Sequence, residues 1–227
     1  MQDAARTDAR PLRPDEYSRV LETDRALYPC ASGVTAELMH HWYRDNPEFS
    51  LAYECAGRVV GVLVCIPLFR AAWEDFLAGR IVEAQLHQDR VFARNRHDEL
   101  AIHIYHIEKF DPTWKHFHRL AFEGLACAVG DLVRAYPRLR VAGVSALCVS
   151  VASNRLFEDR LGFHETGCRM QEHIVCDATG RNRIDTGDEK SVRQSLQAGD
   201  EYVTRCRLLI LRNPGSLLPG VHGLNQD

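Results

Sequence analysis

The stretch Leu100-Ala-Ile-His-Ile-Tyr-His-Ile-Glu-Lys-Phe110, followed by Asp111-Pro112-Thr113-Trp114-Lys115, decides how the chain is read. Eleven residues rich in Ile, Tyr and other apolar groups predict a strand. Asp111-Pro112-Thr113 breaks it, and a helix is expected from about Lys115 to Tyr136, with Leu120, Leu125, Ala128, Val129, Leu132 and Val133 on its apolar side. Pro137 follows the helix, and the continuous small and apolar run Val141 to Val151 reads as a strand buried on both faces. Strand, helix and buried strand in this order make one crossover unit of a sheet.

Outward from that unit, Pro14 opens an amphipathic stretch through Val20, Leu21, Ala26 and Leu27 that Pro29 stops. Thr35 is placed to cap a second helix through Leu38, Met39 and Trp42, ending near Asn46-Pro47. Phe49 to Cys55 and Val59 to Leu68, joined through Ala56-Gly57-Arg58, read as a hairpin. Arg70 to about Asp98 is a charged, helix-prone insertion whose Trp73, Phe76, Leu77 and Ile81 need a surface to cover. That surface is either the domain's own sheet or a second copy of the chain, as a homodimer. On the other side, Ser153 is read as the cap of a short helix, Asn154 to Leu161, stopped by Gly162. Strands are expected over Cys168 to Cys176 and Val203 to Leu211, with the polar segment Asp177 to Asp200 between them as a long mobile loop. The whole predicts a mixed α/β (α+β) sheet domain over residues 10–212, with 213–227 as a tail.

Composition narrows the function without naming it. The chain has 227 residues with 28 Lys+Arg against 31 Asp+Glu, a net charge of −3, which gives no reason to expect nucleic acid as a partner. The longest apolar stretch, Val59 to Phe69, falls short of the roughly 20 residues of a bilayer span, so no membrane partner is expected. The polar start Met1-Gln-Asp-Ala-Ala-Arg has no apolar core of a secretory signal, and a cytoplasmic protein is expected. Eight cysteines without a C-x-x-C pair, most inside apolar runs, read as reduced, packed thiols. Eleven histidines invite a metal. His103 and His106, three apart on a strand, should face opposite ways, and His116 and His118 diverge at a helix start, so no metal is expected.

Two segments resemble the GCN5-related N-acetyltransferases, the GNAT family. One is Ser153-Asn154-Arg155-Leu156-Phe157-Glu158-Asp159-Arg160-Leu161-Gly162-Phe163, similar to the family's short helix ending in L-Y/F-E-K-L-G-F. The other is the strand Leu100–Phe110 with its following loop, similar to V-x-P-x-x-R/Q-x-x-G-x-G/A, with Phe110 at the V, Pro112 at the P and Lys115 at the basic position. The resemblance implies a GNAT-like, mainly antiparallel sheet with helices on both faces. It also implies acetyl-CoA as acyl donor and a small-molecule or peptide amine as acceptor. Phe110, Lys115, His116, Phe117, His118, Arg119, Leu120 and Asn154 become cofactor-binding candidates, with the Phe110 N–H polarising the thioester carbonyl. The strands should splay to admit the pantetheine arm.

The sequence departs from the family in two places. His118 and Leu120 stand where the loop has glycines. The short helix carries one residue too many, so the position of the family's acidic Tyr falls on Phe157 by content or Glu158 by count. His106 is the first candidate base, since an imidazole titrating near neutrality suits the task, and Glu108 on the same face is the second. Transfer through water, a longer acyl chain, and a GNAT-fold binding or scaffold module without catalysis all stay open.

Overall fold

The computed structural model describes residues 7–27, 34–86, 88–111, 113–114, 116–166 and 172–219. Seven strands form the main sheet: β1 (Thr7–Pro11), β2 (Ser50–Cys55), β3 (Arg58–Phe69), β4 (Glu99–Lys109), β5 (Arg140–Cys148), β6 (His164–Glu165) and β10 (Arg207–Leu211). Their order is β1-β2-β3-β4-β5-β10-β6. A second sheet holds β7 (Glu172–Cys176), β8 (Asn182–Thr186) and β9 (Glu201–Arg205), with β7 in the middle. Every neighbouring pair is antiparallel except β4 and β5. A parallel pair needs a crossover, and α4 (Phe117–Ala135) supplies it. The mixed, mainly antiparallel sheet with helices on both faces is therefore the observed fold. No helix among the described residues is long and apolar enough to cross a membrane.

The helices divide between the faces according to what the strands offer them. α4 covers one face: the buried Tyr53 hydroxyl donates to the Ala121 carbonyl at 2.8 Å, and its ring meets Phe117 edge-on at 5.3 Å. α1 (Tyr17–Leu27), α2 (Ala36–Tyr43) and α3 (Arg70–Leu77) cover the other. There the Trp42 ring lies against Tyr105 at 5.9 Å and Phe76 against His103 at 4.6 Å. Trp73 lies over Gly143, where an added Cβ would stand 2.4 Å from the indole. Thr35 caps α2 as expected, its side chain accepting from the Leu38 N–H at 3.1 Å. Pro29, the expected stop of α1, lies outside the described residues.

Several expectations change. The insertion is α3 followed by two short helical turns, and Trp73, Phe76, Leu77 and Ile81 are all buried within the chain's own core. The choice between own sheet and second copy thus falls to the sheet. The expected mobile loop Asp177 to Asp200 is instead β8 and α6 (Glu189–Ser195), anchored by buried Val192. Its charges are spent internally: Arg183 pairs with Asp185 and Asp200, and the Arg193 guanidinium lies 4.0 Å from the Tyr202 ring centroid. Val203 to Leu211 is two strands in two sheets, divided at buried Cys206, whose N–H donates to the Glu172 carbonyl at 2.8 Å. β7 starts at Glu172; the expected strand residues before it, from Cys168, lie outside the described set. The short helix, α5 (Val151–Asn154), is capped by Ser150 rather than Ser153, and a wider π turn, Arg155–Arg160, continues it. A π turn absorbs one extra residue, which is the excess read in the sequence. β1 was not anticipated. Of the cysteines described, Cys65, Cys148 and Cys206 are buried while Cys127 is exposed.

Candidate active site

Two local features of β4 build the site. The first is a bulge. Val64 of β3 pairs with His106 and Cys65 with Ile104, so Tyr105 is the extra residue. Strict alternation would put Tyr105 and His106 on opposite faces; the bulge turns both toward α1. There Asp24 receives them together: the Tyr105 hydroxyl donates to Oδ2 at 3.1 Å, and His106 Nδ1 lies 3.4 Å from Oδ1. His106 Nε2 donates to Glu108 Oε2 at 3.0 Å. Burial disfavours the imidazolium, but hydrogen bonds to Asp24 and Glu108, with their charges, outweigh it and raise the pKa to about 9. His106 is 7% exposed. The candidate base is thus an imidazolium at neutral pH. Asp24 was not found from the sequence, because nothing in an amphipathic helix marks which of its carboxylates meets a strand 80 residues on.

The same bulge corrects the expected facing of His103, which lies on the His106 side. His103 still keeps its own partners. Trp73 Nε1 donates to Ser145 Oγ at 2.9 Å, Ser145 Oγ lies 3.0 Å from His103 Nδ1, and His103 Nε2 lies 2.8 Å from Glu83 Oε1. Since a carboxylate only accepts, the His103 Nε2–H donates to Glu83. Among the described residues no three His, Cys, Asp or Glu side chains gather as a metal would require.

The second feature is a gap. Pairing between β4 and β5 ends at Ile104–Ala146, yet β4 runs on to Lys109 beside β3 and β5 to Cys148 beside β10. The two parallel strands therefore open at their carboxyl ends, where ligands enter sheets of this kind. The expected splay is present at this point. The Phe110 N–H, however, donates to the Val60 carbonyl at 2.8 Å. Its expected role as oxyanion donor is ruled out by that bond. By the alternation of an antiparallel pair, Ile107 and Lys109 turn their N–H groups toward the open side, and Ile107 is the nearer to the point of parting.

At the mouth of the gap stands the start of α4. His116 is its N-cap without a side-chain capping bond. Arg119 N–H donates back to the His116 carbonyl at 2.9 Å, and the Leu120 amide belongs to the helix ladder. The amides that remain for a ligand are those of His116, Phe117 and His118. The Phe117 side chain is buried in the core and that of Leu120 packs against it. Lys115 and Pro112 lie outside the described residues. Burial and the charges of Arg160, His116 and Arg119 lower the His118 pKa. Four basic side chains thus converge here, and Arg160, inside the Leu-Gly-Phe segment, is the one not picked out from the sequence. Beyond the end of β5, the Asn154 Oδ1 is buried without a hydrogen-bond partner among the described residues.

The two candidates for the acid fail. Phe157 is buried against Phe122 and Phe163 at 6.1 and 5.0 Å. Glu158 accepts from both Arg207 Nη groups, at 2.5 and 3.0 Å, and Arg207 holds its carboxyl below the usual range, ionised.

No protein-family model and no curated protein matches the chain. Solved structures do. Arabidopsis thaliana NAA60 in complex with acetyl-CoA is 11% identical at a TM-score of 0.49, covering 91% of this chain and 99% of that one. Drosophila melanogaster polyamine N-acetyltransferase is 15% identical at 0.46, covering 91% and 100%. Mosquito arylalkylamine N-acetyltransferase like 5b is 14% identical at 0.45, covering 91% and 99%. At these values the similarity concerns the general course of the chain, and the site is argued from its own geometry.

Proposed function

We propose that this chain is an acyl-CoA-dependent N-acyltransferase that moves an acetyl group from acetyl-CoA to an amine. The observation that carries the reading is the β4–β5 gap, which opens after Ile104–Ala146 with the uncapped, cationic start of α4 at its mouth. The residues present suit such a donor. The pyrophosphate would meet the amides of His116 to His118, the imidazoles of His116 and His118 and the charges of Arg119 and Arg160. The pantetheine arm, itself an amide chain, would lie in the gap and give the Asn154 Oδ1 the donor it lacks.

In the reaction the amine nitrogen attacks the thioester carbonyl. The C–N bond forms, the C–S bond breaks, and CoA leaves as thiolate. The Ile107 N–H is the candidate donor to the developing oxyanion. His106 in its neutral form takes the ammonium proton, and Asp24 and Glu108 stabilise the imidazolium that results. No side chain is assigned as acid to the thiolate. The test is acetyl-CoA-dependent thiol release across a panel of small and peptide amines, with His106→Gln as control. Turnover with at least one amine, lost in the variant, supports the reading; no release with any amine removes it.

A second reading, a GNAT-fold module that binds without catalysis, draws on the closure of His106 between two carboxylates and on Phe157 at the acid position. It predicts CoA binding with no thiol release.

A further inference from the structure

A cleft of about 580 Å³ opens on the opposite flank of β4, between the first turn of α1 and the β2–β3 turn. It is separate from the β4–β5 gap: its lining includes Arg13, Arg19, Arg58, Val59, Val60 and Phe110. Its acids are already engaged. Glu16 accepts from Arg10 at 2.7 and 2.8 Å and from Arg13 at 3.0 Å, and Glu54 accepts from Arg10 at 2.7 Å. Asp111 Oδ1 accepts from the Thr113 N–H and hydroxyl, and these bonds, with the nearby charges of Arg58 and Lys109, hold its carboxyl below the usual range, so Arg58 already faces one carboxylate of the lining. Among the described residues Arg19 and Arg58 form no ion pair. The Arg19 guanidinium lies 5.3 Å from the Phe110 ring centroid, so a flat cation and a flat ring stand side by side at one wall. Val59, Val60 and Phe110 supply the apolar part of a wall that otherwise carries the arginines and acids just described. At the rim, Gly57, at φ +73°, leaves its Cβ position with nothing within 4 Å, so the turn does not close the entrance.

We infer that this cleft is a binding site for a small organic oxyanion, a phosphate or carboxylate carried on a planar apolar body. Arg19 and Arg58 take the charge, as guanidinium groups do with both kinds of oxyanion. Phe110, Val59 and Val60 take the body. The volume lies within the range of small-molecule pockets. The site does not depend on the acyltransferase reading, since neither arginine belongs to the β4–β5 gap or to the α4 start.

The experiment titrates the full chain calorimetrically with phenyl phosphate, benzoate, inorganic phosphate and benzyl alcohol, with and without saturating CoA. Phenyl phosphate or benzoate should bind one-to-one, more weakly at high salt, and unchanged by CoA. Inorganic phosphate and benzyl alcohol should bind at least about tenfold more weakly, because each lacks one half of the ligand. Arg19→Gln and Arg58→Gln, both at exposed positions, should each weaken binding roughly tenfold or more while far-UV circular dichroism stays unchanged. Absence of saturable binding by both aromatic anions overturns the inference. So does equal affinity in the two arginine variants. Displacement by CoA would assign the cleft to the donor site and overturn its independence. Which of phenyl phosphate and benzoate binds tighter names the oxyanion.

Discussion

His106 shows how much a single side chain's chemistry depends on neighbours the sequence does not mark. Read alone it is a histidine of ordinary pKa on a strand. Between Asp24 and Glu108 it titrates at about 9. Two consequences are measurable. The acidic limb of kcat/KM should lie near pH 9 rather than near 6.5, Asp24→Asn should move it downward, and His106→Gln should lower the rate by about a hundred- to ten-thousandfold. The folded pKa is raised, so the stability this group contributes is fully present below its unfolded value of about 6.5 and is lost as pH rises through about 9. The Tm deficit of His106→Gln should therefore shrink between pH 6 and pH 10. His118 carries the opposite shift. Its pKa is lowered by burial and by Arg160, His116 and Arg119, and a bound pyrophosphate would reverse that repulsion. CoA affinity should rise as pH falls from 8 to 6, and that slope should flatten in His118→Gln; titration calorimetry at the two pH values checks it. Arg160→Ala should weaken CoA binding at both.

At the scale of elements, the crossover unit was legible because its signals are local. Period, length and the breaks at Asp111-Pro112 and Pro137 place β4, α4 and β5 within a few residues of their observed ends. What was not legible depends on contacts across the chain. The bulge at Tyr105 exists only against β3, and it changed the facing of His103 and the partners of His106. The segment Asp177 to Asp200 reads as polar because its order comes from ion pairs and a single buried residue, Val192, rather than from an apolar stripe. The excess residue near Phe157 was visible as a misfit to the family pattern, and its structural answer is the π turn. Gly143 was invisible in the same way, since its reason lies in α3. Gly143→Ala would drive a methyl into the buried Trp73 ring, beside the bond from Trp73 to Ser145. Overpacking of this kind costs about 1–3 kcal/mol, and urea unfolding should show a loss in that range with the m-value unchanged.

A sheet that is antiparallel except at β4–β5 has one place where parallel strands part, and the helix that joins them begins at that same place. α1, which supplies Asp24, lies across the face that carries His106, so the candidate base and the candidate donor cradle both lie at the carboxyl end of one strand, β4. The central claim is that this opening binds acyl-CoA, and it is tested most directly by titrating acetyl-CoA into the full chain by calorimetry. Saturable one-to-one binding that weakens with salt and with Arg160→Ala is expected. A thermal-unfolding shift corresponding to about 2.7 kcal/mol at a hundredfold excess over Kd should accompany it. No saturable heat and no shift at millimolar acetyl-CoA would contradict it.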